Sequence, residues 1–174
     1  RAKDGFDRTD PALLKMLLLA YRDKSTAQTP LQGLLTLTPV VPVSVSYELD
    51  PCAVDKAREL AVIEQLGEYI KKPDEDLKSM VQGLMGHKGR VRLAFGEPIT
   101  AASSLEDLTE QLDQTIVANT RLYPTHRYAR ALNAGLDTQD LVNHPTVRVL
   151  AAELESLSAA ERPFLLQQYA NICR

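Results

Sequence analysis

The sequence has no tryptophan, and only three phenylalanines and six tyrosines. Stacked aromatic platforms of the kind that hold single-stranded nucleic acid therefore have little to be built from. A basic face is missing too. Twenty Lys and Arg stand against 23 Asp and Glu, a formal net charge of -3, and this balance gives no electrostatic case for nucleic acid. Cysteine is scarce: Cys52 and Cys173 lie far apart, with no Cys-x-x-Cys pair and no Cys/His cluster. Neither zinc-ligand spacing nor a disulfide scaffold is indicated, no metal is expected, and two thiols of this kind fit a reducing compartment. Charge is absent from Ser25 to Tyr47. That run could span a bilayer on length alone, but Pro30, Gly33, Pro39 and Pro42 would leave backbone groups unsatisfied in lipid. It reads as loop and buried strand. No charged-then-apolar leader follows Arg1, so no signal peptide is expected and the location read from the sequence is cytoplasmic.

What is present is ordinary for a globular chain: 174 residues, 44% hydrophobic and 25% charged. That is one domain, or one domain with an annex, long enough to bury a core without staples. The central stretch is Thr36 to Glu48, expected as a buried strand entered through Pro39 and Pro42 and ending at Tyr47-Glu48. Val43, Val45 and Tyr47 would face one way, and Ser44 and Ser46 the other, where the small serines leave room for a helix or ligand. Pro42 belongs at a strand start or edge.

In chain order, Arg1 to Thr9 is a polar loop turning at Gly5. Asp10-Pro11 is an N-cap with proline at the first helical position. The helix that follows carries Leu13, Leu14, Leu17, Leu18 and Tyr21 and is expected to end near Lys24 and Ser25. Ser25 to Leu35 reads as a connector. After the strand, Asp50-Pro51 repeats the capping device, and Ala53, Ala57, Leu60, Ile63, Leu66 and Ile70 predict a helix running to Pro73. A second helix from Asp74 bears Leu77, Met80, Val81, Leu84 and Met85, with Gly86 and Gly89 stopping it. Val91, Leu93 and Phe95 alternate with Arg90, Arg92 and Ala94 as a half-buried strand. Ser104 with Asp107, and Ser158 with Glu161, have capping-box spacing. Leu105, Leu108, Leu112 and Ile116 form one helical stripe, Val147, Leu150, Ala151 and Leu154 another, and Leu165, Tyr169 and Ile172 a third. The order predicts an α/β class with crossover connections, comprising residues 1–122, followed by a helical annex, 123–174.

Pro39-Val-Val-Pro-Val-Ser-Val-Ser-Tyr-Glu48, the helical spacer through Gly89, and Val91-Arg-Leu-Ala-Phe-Gly-Glu-Pro-Ile99 together resemble the glycerol-3-phosphate acyltransferase branch of the glycerolipid acyltransferases. The resemblance covers roughly Arg1 to Thr120 in order and spacing. It implies a partial glycerolipid-acyltransferase-like sheet flanked by helices. It also implies transfer of a fatty acyl group from a thioester, acyl-CoA or acyl carrier protein, to glycerol 3-phosphate or a related acceptor in phospholipid synthesis. No further cofactor is implied. Arg1-Ala2-Lys3 occupies the place of the family's Arg-Ser-Arg block, so the resemblance makes Arg1 and Lys3 holders of the acceptor phosphate, by a guanidinium fork and a point charge. The other reading of these two residues is a solvated terminus. The family's His-x-x-x-x-Asp motif is absent: the fifth residues after His87, His126 and His144 are Arg92, Ala131 and Val149. The resemblance puts that motif before Arg1. No catalytic residue is therefore assigned, and the chain is expected to be an acyltransferase lacking its catalytic half and inactive alone.

Other residues keep two readings each. Tyr47 could hydrogen-bond a ligand at the strand's carboxyl end and Glu48 could pair with an arginine, or both could be structural. Glu97 is a turn or cap residue, or a carboxylate of the site. His126 stands among Arg121, Arg127 and Arg130, a cluster that would suit a phosphate or anionic head groups or be a solvated helix face. His87 and His144 read as a helix terminus and a turn. Leu13, Leu17, Met80, Leu84 and Met85 would line an acyl groove or belong to the core. An alternative function is a non-catalytic binding or scaffolding module acting through the C-terminal helices. Peripheral contact with the cytoplasmic face of a membrane is consistent with lipid substrates.

Overall fold

The computed structural model describes residues 4–6, 8–22 and 29–173. In chain order the elements are α1 (Pro11–Leu19), α2 (Pro30–Leu37), β1 (Val43–Tyr47), α3 (Ala53–Leu66), α4 (Glu75–Met85), β2 (Val91–Phe95), α5 (Leu105–Asn119), α6 (Pro124–Asn133), α7 (Gln139–Val142), α8 (Pro145–Ser156) and α9 (Arg162–Ala170). The class is α/β with far more helix than strand. Among the described residues β1 and β2 form one two-stranded sheet.

The pairing is antiparallel, which corrects the expected crossover. Gly96 N donates to Pro42 O at 2.8 Å, and Glu48 N donates to Arg90 O at 3.1 Å. A bridge between Val40 and Ile99 continues the same sense. A single helix between strands carries the chain to the opposite end of a sheet. Here two helices in succession, α3 and α4, bring it back to the end it left.

Contacts divide the chain into two units. The first comprises residues 1–6, 46–91 and 121–174, and the second 7–45 and 92–120. In the first, Leu49, Ala53 and Ala57 pack with Tyr128, Ala129, Val147, Leu150, Leu154, Leu165 and Tyr169. Helix α3 turns Ala53, Ala57 and Ala61 inward, and these small side chains let α9 lie close against it. Gly5, at φ 78°, sits where a Cβ would fall 2.4 Å from Gln168 O, so only glycine fits this turn. In the second unit Leu14, Leu35, Ile99, Leu108 and Leu112 form the core.

Most helix starts follow from their caps. Asp10 accepts from Ala12 N at 2.8 Å, and Ser104 Oγ accepts from Asp107 N at 3.1 Å. Glu161 accepts from Ser158 N at 2.8 Å, although α9 itself begins at Arg162. Other boundaries differ from expectation. The segment taken as a connector holds α2, started by Thr29, which accepts from Gln32 N, and by Pro30 at the first turn. This is the device read correctly at Asp10-Pro11. The strand is correspondingly short, since Thr36 and Leu37 belong to α2. Helix α1 ends at Leu19; Lys24 and Ser25 lie outside the described residues. Helix α3 stops at Leu66 because Gly67 takes a left-handed φ of 82°, well before Pro73. Asp50 is not the N-cap of α3; it closes a turn, accepting from Cys52 N at 2.9 Å.

The sheet's faces are the reverse of a hydrophobic-in strand. Ser44 and Ser46 are buried, while Val43 and Val45 are exposed. Val91, Leu93 and Phe95 are 51%, 59% and 71% exposed, so β2 is not the half-buried strand expected. The serines are inside because of what approaches them. In the second unit Ser44 Oγ lies 3.1 Å from Thr120 Oγ1. In the first, Ser46 Oγ accepts from Arg121 N at 2.9 Å. The turn between α5 and α6 thus takes its hydrogen bonds from the serine face, as a small side chain at close approach allows. Replacing Leu93 by Thr is expected to change stability by less than about 0.5 kcal/mol, whereas Leu108→Ala, at a fully buried core position, costs about 3 kcal/mol. Urea denaturation of both variants checks this, and a costly Leu93→Thr would mean the apolar face is covered.

Candidate functional site

The chemistry-bearing side chains of the first unit gather where β1 ends. Tyr47 is half-buried and Glu48 is 2% exposed. A buried carboxylate needs partners, and the chain brings them from the start of β2. Glu48 Oε1 accepts from Arg90 Nε at 3.0 Å and Nη2 at 2.6 Å, and its Oε2 accepts from Arg90 N at 2.8 Å. Gly89 makes this approach possible: at φ 63°, a Cβ there would stand 2.6 Å from Glu48 Oε2. The Arg90 guanidinium, itself largely exposed, lies 5.3 Å from the centre of the Tyr123 ring. Thr125 Oγ1 donates to Glu48 O at 2.6 Å. Burial pushes the Glu48 pKa up, but the hydrogen bonds and charge of Arg90 outweigh it and hold the carboxyl below its ordinary value.

Two residues on, Asp50 forms a second node. It accepts from Lys56 Nζ at 2.7 Å, and its backbone N–H donates to Tyr169 Oη at 2.9 Å. Glu153 of α8 is close enough for burial, and then the Asp50 charge, to push its carboxyl up to about 7. Cys52 donates weakly to Ser79 O at 3.5 Å, and burial raises its thiol. Burial also raises Cys173. Neither cysteine is held as a thiolate nucleophile.

Chemically, this end of β1 is a charged clamp. Both oxygens of Glu48 are engaged by Arg90, so Glu48 is a poor general base, and Arg90 is the group presented outward. Among the described residues no group of three His, Cys, Asp or Glu side chains is placed to hold a metal ion.

The residues singled out from sequence fare differently. Arg1 and Lys3 lie outside the described residues. Tyr47 stands at the strand end beside the clamp. Glu48 does pair with an arginine, and the partner is Arg90. His126 is not on a solvated face and does not form a phosphate cluster. It is fully buried, its Nδ1 accepts from Tyr123 N at 3.1 Å, and its ring lies 5.9 Å from both the Tyr123 and Tyr169 rings. An accepting Nδ1 puts the proton on Nε2. His126 is thus the third-position partner in a cap whose first residue is Tyr123, a histidine version of the usual Glu or Gln pattern. Arg130 of the same cluster donates to Cys173 O at 3.0 Å. His144 precedes α8, with its Nδ1 2.9 Å from Thr146 Oγ1. Leu13, Leu17, Met80, Leu84 and Met85 are exposed rather than part of the core. The stripes of α8 and α9 are buried in their own unit, so those faces are not open to a partner. Two features went unread: Gly89 as the notch for Glu48, whose signal was a glycine directly before an arginine and a strand, and Glu153, which had none.

Searches of protein-family models, of curated proteins and of solved structures return no match to this chain.

Glu48→Gln keeps the shape but loses the charge. At pH 7 it is expected to cost about 2 kcal/mol. A folded pKa held below 4.5 means the carboxylate's contribution is present above that value and fades as pH falls through the folded pKa. The gap between parent and variant should therefore close in acid, as denaturation curves across pH will show. Glu153 runs the other way. With a folded value of about 7 against 4.5 when free, the native chain keeps a proton that the unfolded chain loses, so stability declines as pH rises from 4.5 to about 7 and then levels. Glu153→Gln should remove that slope and be more stable than the parent at pH 8 by on the order of 1 kcal/mol, a figure discounted for partial solvent screening.

Proposed function

We propose that this chain is part of a glycerolipid acyltransferase, one that moves a fatty acyl group from a thioester to the hydroxyl of glycerol 3-phosphate or a close relative. The observation that carries the reading is the placement of the two quoted sequence blocks. Pro42 of the first accepts from Gly96 of the second, and Glu48 at the end of the first is clamped by Arg90 just ahead of the second. Blocks far apart in sequence meet along the one sheet among the described residues, which supports their being parts of a single signature. The finer fold, a glycerolipid-acyltransferase-like sheet, is proposed on the same ground.

In the reaction the acceptor hydroxyl attacks the thioester carbonyl, an ester C–O bond forms, and the C–S bond breaks. The hydroxyl proton leaves through a general base and returns to the departing thiolate. That base would be the histidine of a His-x-x-x-x-Asp pair, which this sequence does not contain. The chain's own share is the scaffold at β1 and β2, with Arg1 and Lys3 as the cations for the acceptor phosphate. The donor is acyl-CoA or acyl carrier protein, and the lipid product places the work at a cytoplasmic membrane surface.

The test is thiol release from an acyl thioester with glycerol 3-phosphate. The 174-residue chain is expected to be inactive. Joined to the residues encoded before Arg1, it should turn over, and Arg1→Ala with Lys3→Ala should raise the KM for glycerol 3-phosphate about tenfold or more while leaving the fold intact. An upstream sequence without His-x-x-x-x-Asp, or an extended chain that consumes no thioester, overturns the reading.

A further inference from the structure

Helix α4 is attached to its unit by the wrong side for a globular protein. Its inner face is polar and small. Gln82 Nε2 donates to Pro51 O at 2.5 Å, Ser79 O takes the Cys52 thiol, and Gly83 lies over Cys52. At the helix end, a Cβ on Gly86 would fall 2.4 Å from Pro51 Cβ. The outer face carries Leu77, Met80, Val81, Leu84 and Met85, between 51% and 82% exposed, and no residue of the helix is buried. Ordinary amphipathic helices point such a stripe at the core; this one points it away.

Charge is graded along the stripe. At its start Glu75 accepts from Tyr69 Oη at 2.8 Å and from Lys72 N at 2.9 Å, and Asp76 pairs with Lys71 at 2.6 Å, while the N-cap Asp74 is exposed and makes no side-chain cap. At its end, beside Leu84 and Met85, stand His87 and Lys88, the lysine ammonium capping Leu84 O and Gly86 O at 3.1 Å. Lys72 and Lys78 are exposed. An apolar face with Lys78 on its flank, Lys72 ahead of it and Lys88 at its end is complementary to acyl chains beneath anionic head groups. A helix of 11 residues is about 16 Å long and about 10 Å wide. That footprint is small against the ~800 Å² per partner that a stable protein interface buries, but a bilayer requires no matching surface. We propose that α4 is an interfacial helix that seats its stripe in the surface of an anionic lipid bilayer. The proposal stands on α4 alone and does not need the acyl-transfer reading, which no vesicle experiment tests.

Because the chain lacks tryptophan, Leu84→Trp supplies a single reporter. With vesicles of phosphatidylcholine containing one third phosphatidylglycerol, its emission should shift to the blue, and the parent chain should co-sediment. Leu84→Ser with Met85→Ser, both at surface positions, should weaken co-sedimentation by about tenfold or more. Lys72→Glu with Lys78→Glu should do the same at low salt only. Circular dichroism of each variant should match the parent. The proposal is overturned if the parent ignores these vesicles. It is equally overturned if the serine variant binds as well as the parent, or if light scattering shows instead a dimer of this chain that the serine variant abolishes.

Discussion

A carboxylate taken out of water has to be answered where it stands, and Glu48 is the buried charge on which the first unit turns. Its side chain holds the start of β2 through Arg90, and its backbone carbonyl holds the start of α6 through Thr125. Gly89 has to be a glycine for the carboxylate to fit. Arg90 in turn leans on Tyr123, the residue that begins α6 and takes its cap from His126. One residue thereby ties the approach to β2 with its side chain and the start of α6 with its backbone. Asp50, two residues on, extends the arrangement to α3 through Cys52 and Lys56, and to α9 through Tyr169.

What could be read from the sequence was local. Side chains that act on their nearest neighbours announce themselves: Asp10 and Ser104 as caps, proline at a first turn, Gly5 at a tight bend. Thr29-Pro30 obeyed the same rule and was passed over only because a charge-free run read as loop. What could not be read was which way a face points. Alternation gives the period of a strand and says nothing of which set of residues is inside. At β1 the hydrogen bond between the Ser44 and Thr120 hydroxyls, and the one Ser46 accepts from Arg121 N, settled the matter against the valines. The same holds for α4, whose regular stripe was legible and whose outward direction was not.

The candidate site shows the same divide. The pairing of Glu48 with an arginine was open to sequence reasoning; that Arg90 occupies both of its oxygens, turning a candidate base into a clamp, required the geometry. His126 looked like part of a cationic cluster because Arg121, Arg127 and Arg130 surround it in sequence. A helix separates neighbours by 100° per residue, and His126 fell on the inner side. On the proposed acyl-transfer reading the chain is the frame around a reaction, and the end of β1 and the start of β2 are the described parts that would meet substrate.

Each strand of the sheet has a side with no partner strand among the described residues, and unpaired backbone invites a foreign chain to add itself. This sheet gives such a chain little to extend. Both strands are five residues long. Pro42, just before β1, has no N–H to offer, and Pro98 interrupts the path beyond β2. Arg92 sets a charge within β2. The molecule can therefore display valine, leucine and phenylalanine on an open sheet without becoming a seed for fibrous growth, because its strands end before a template is long enough to copy.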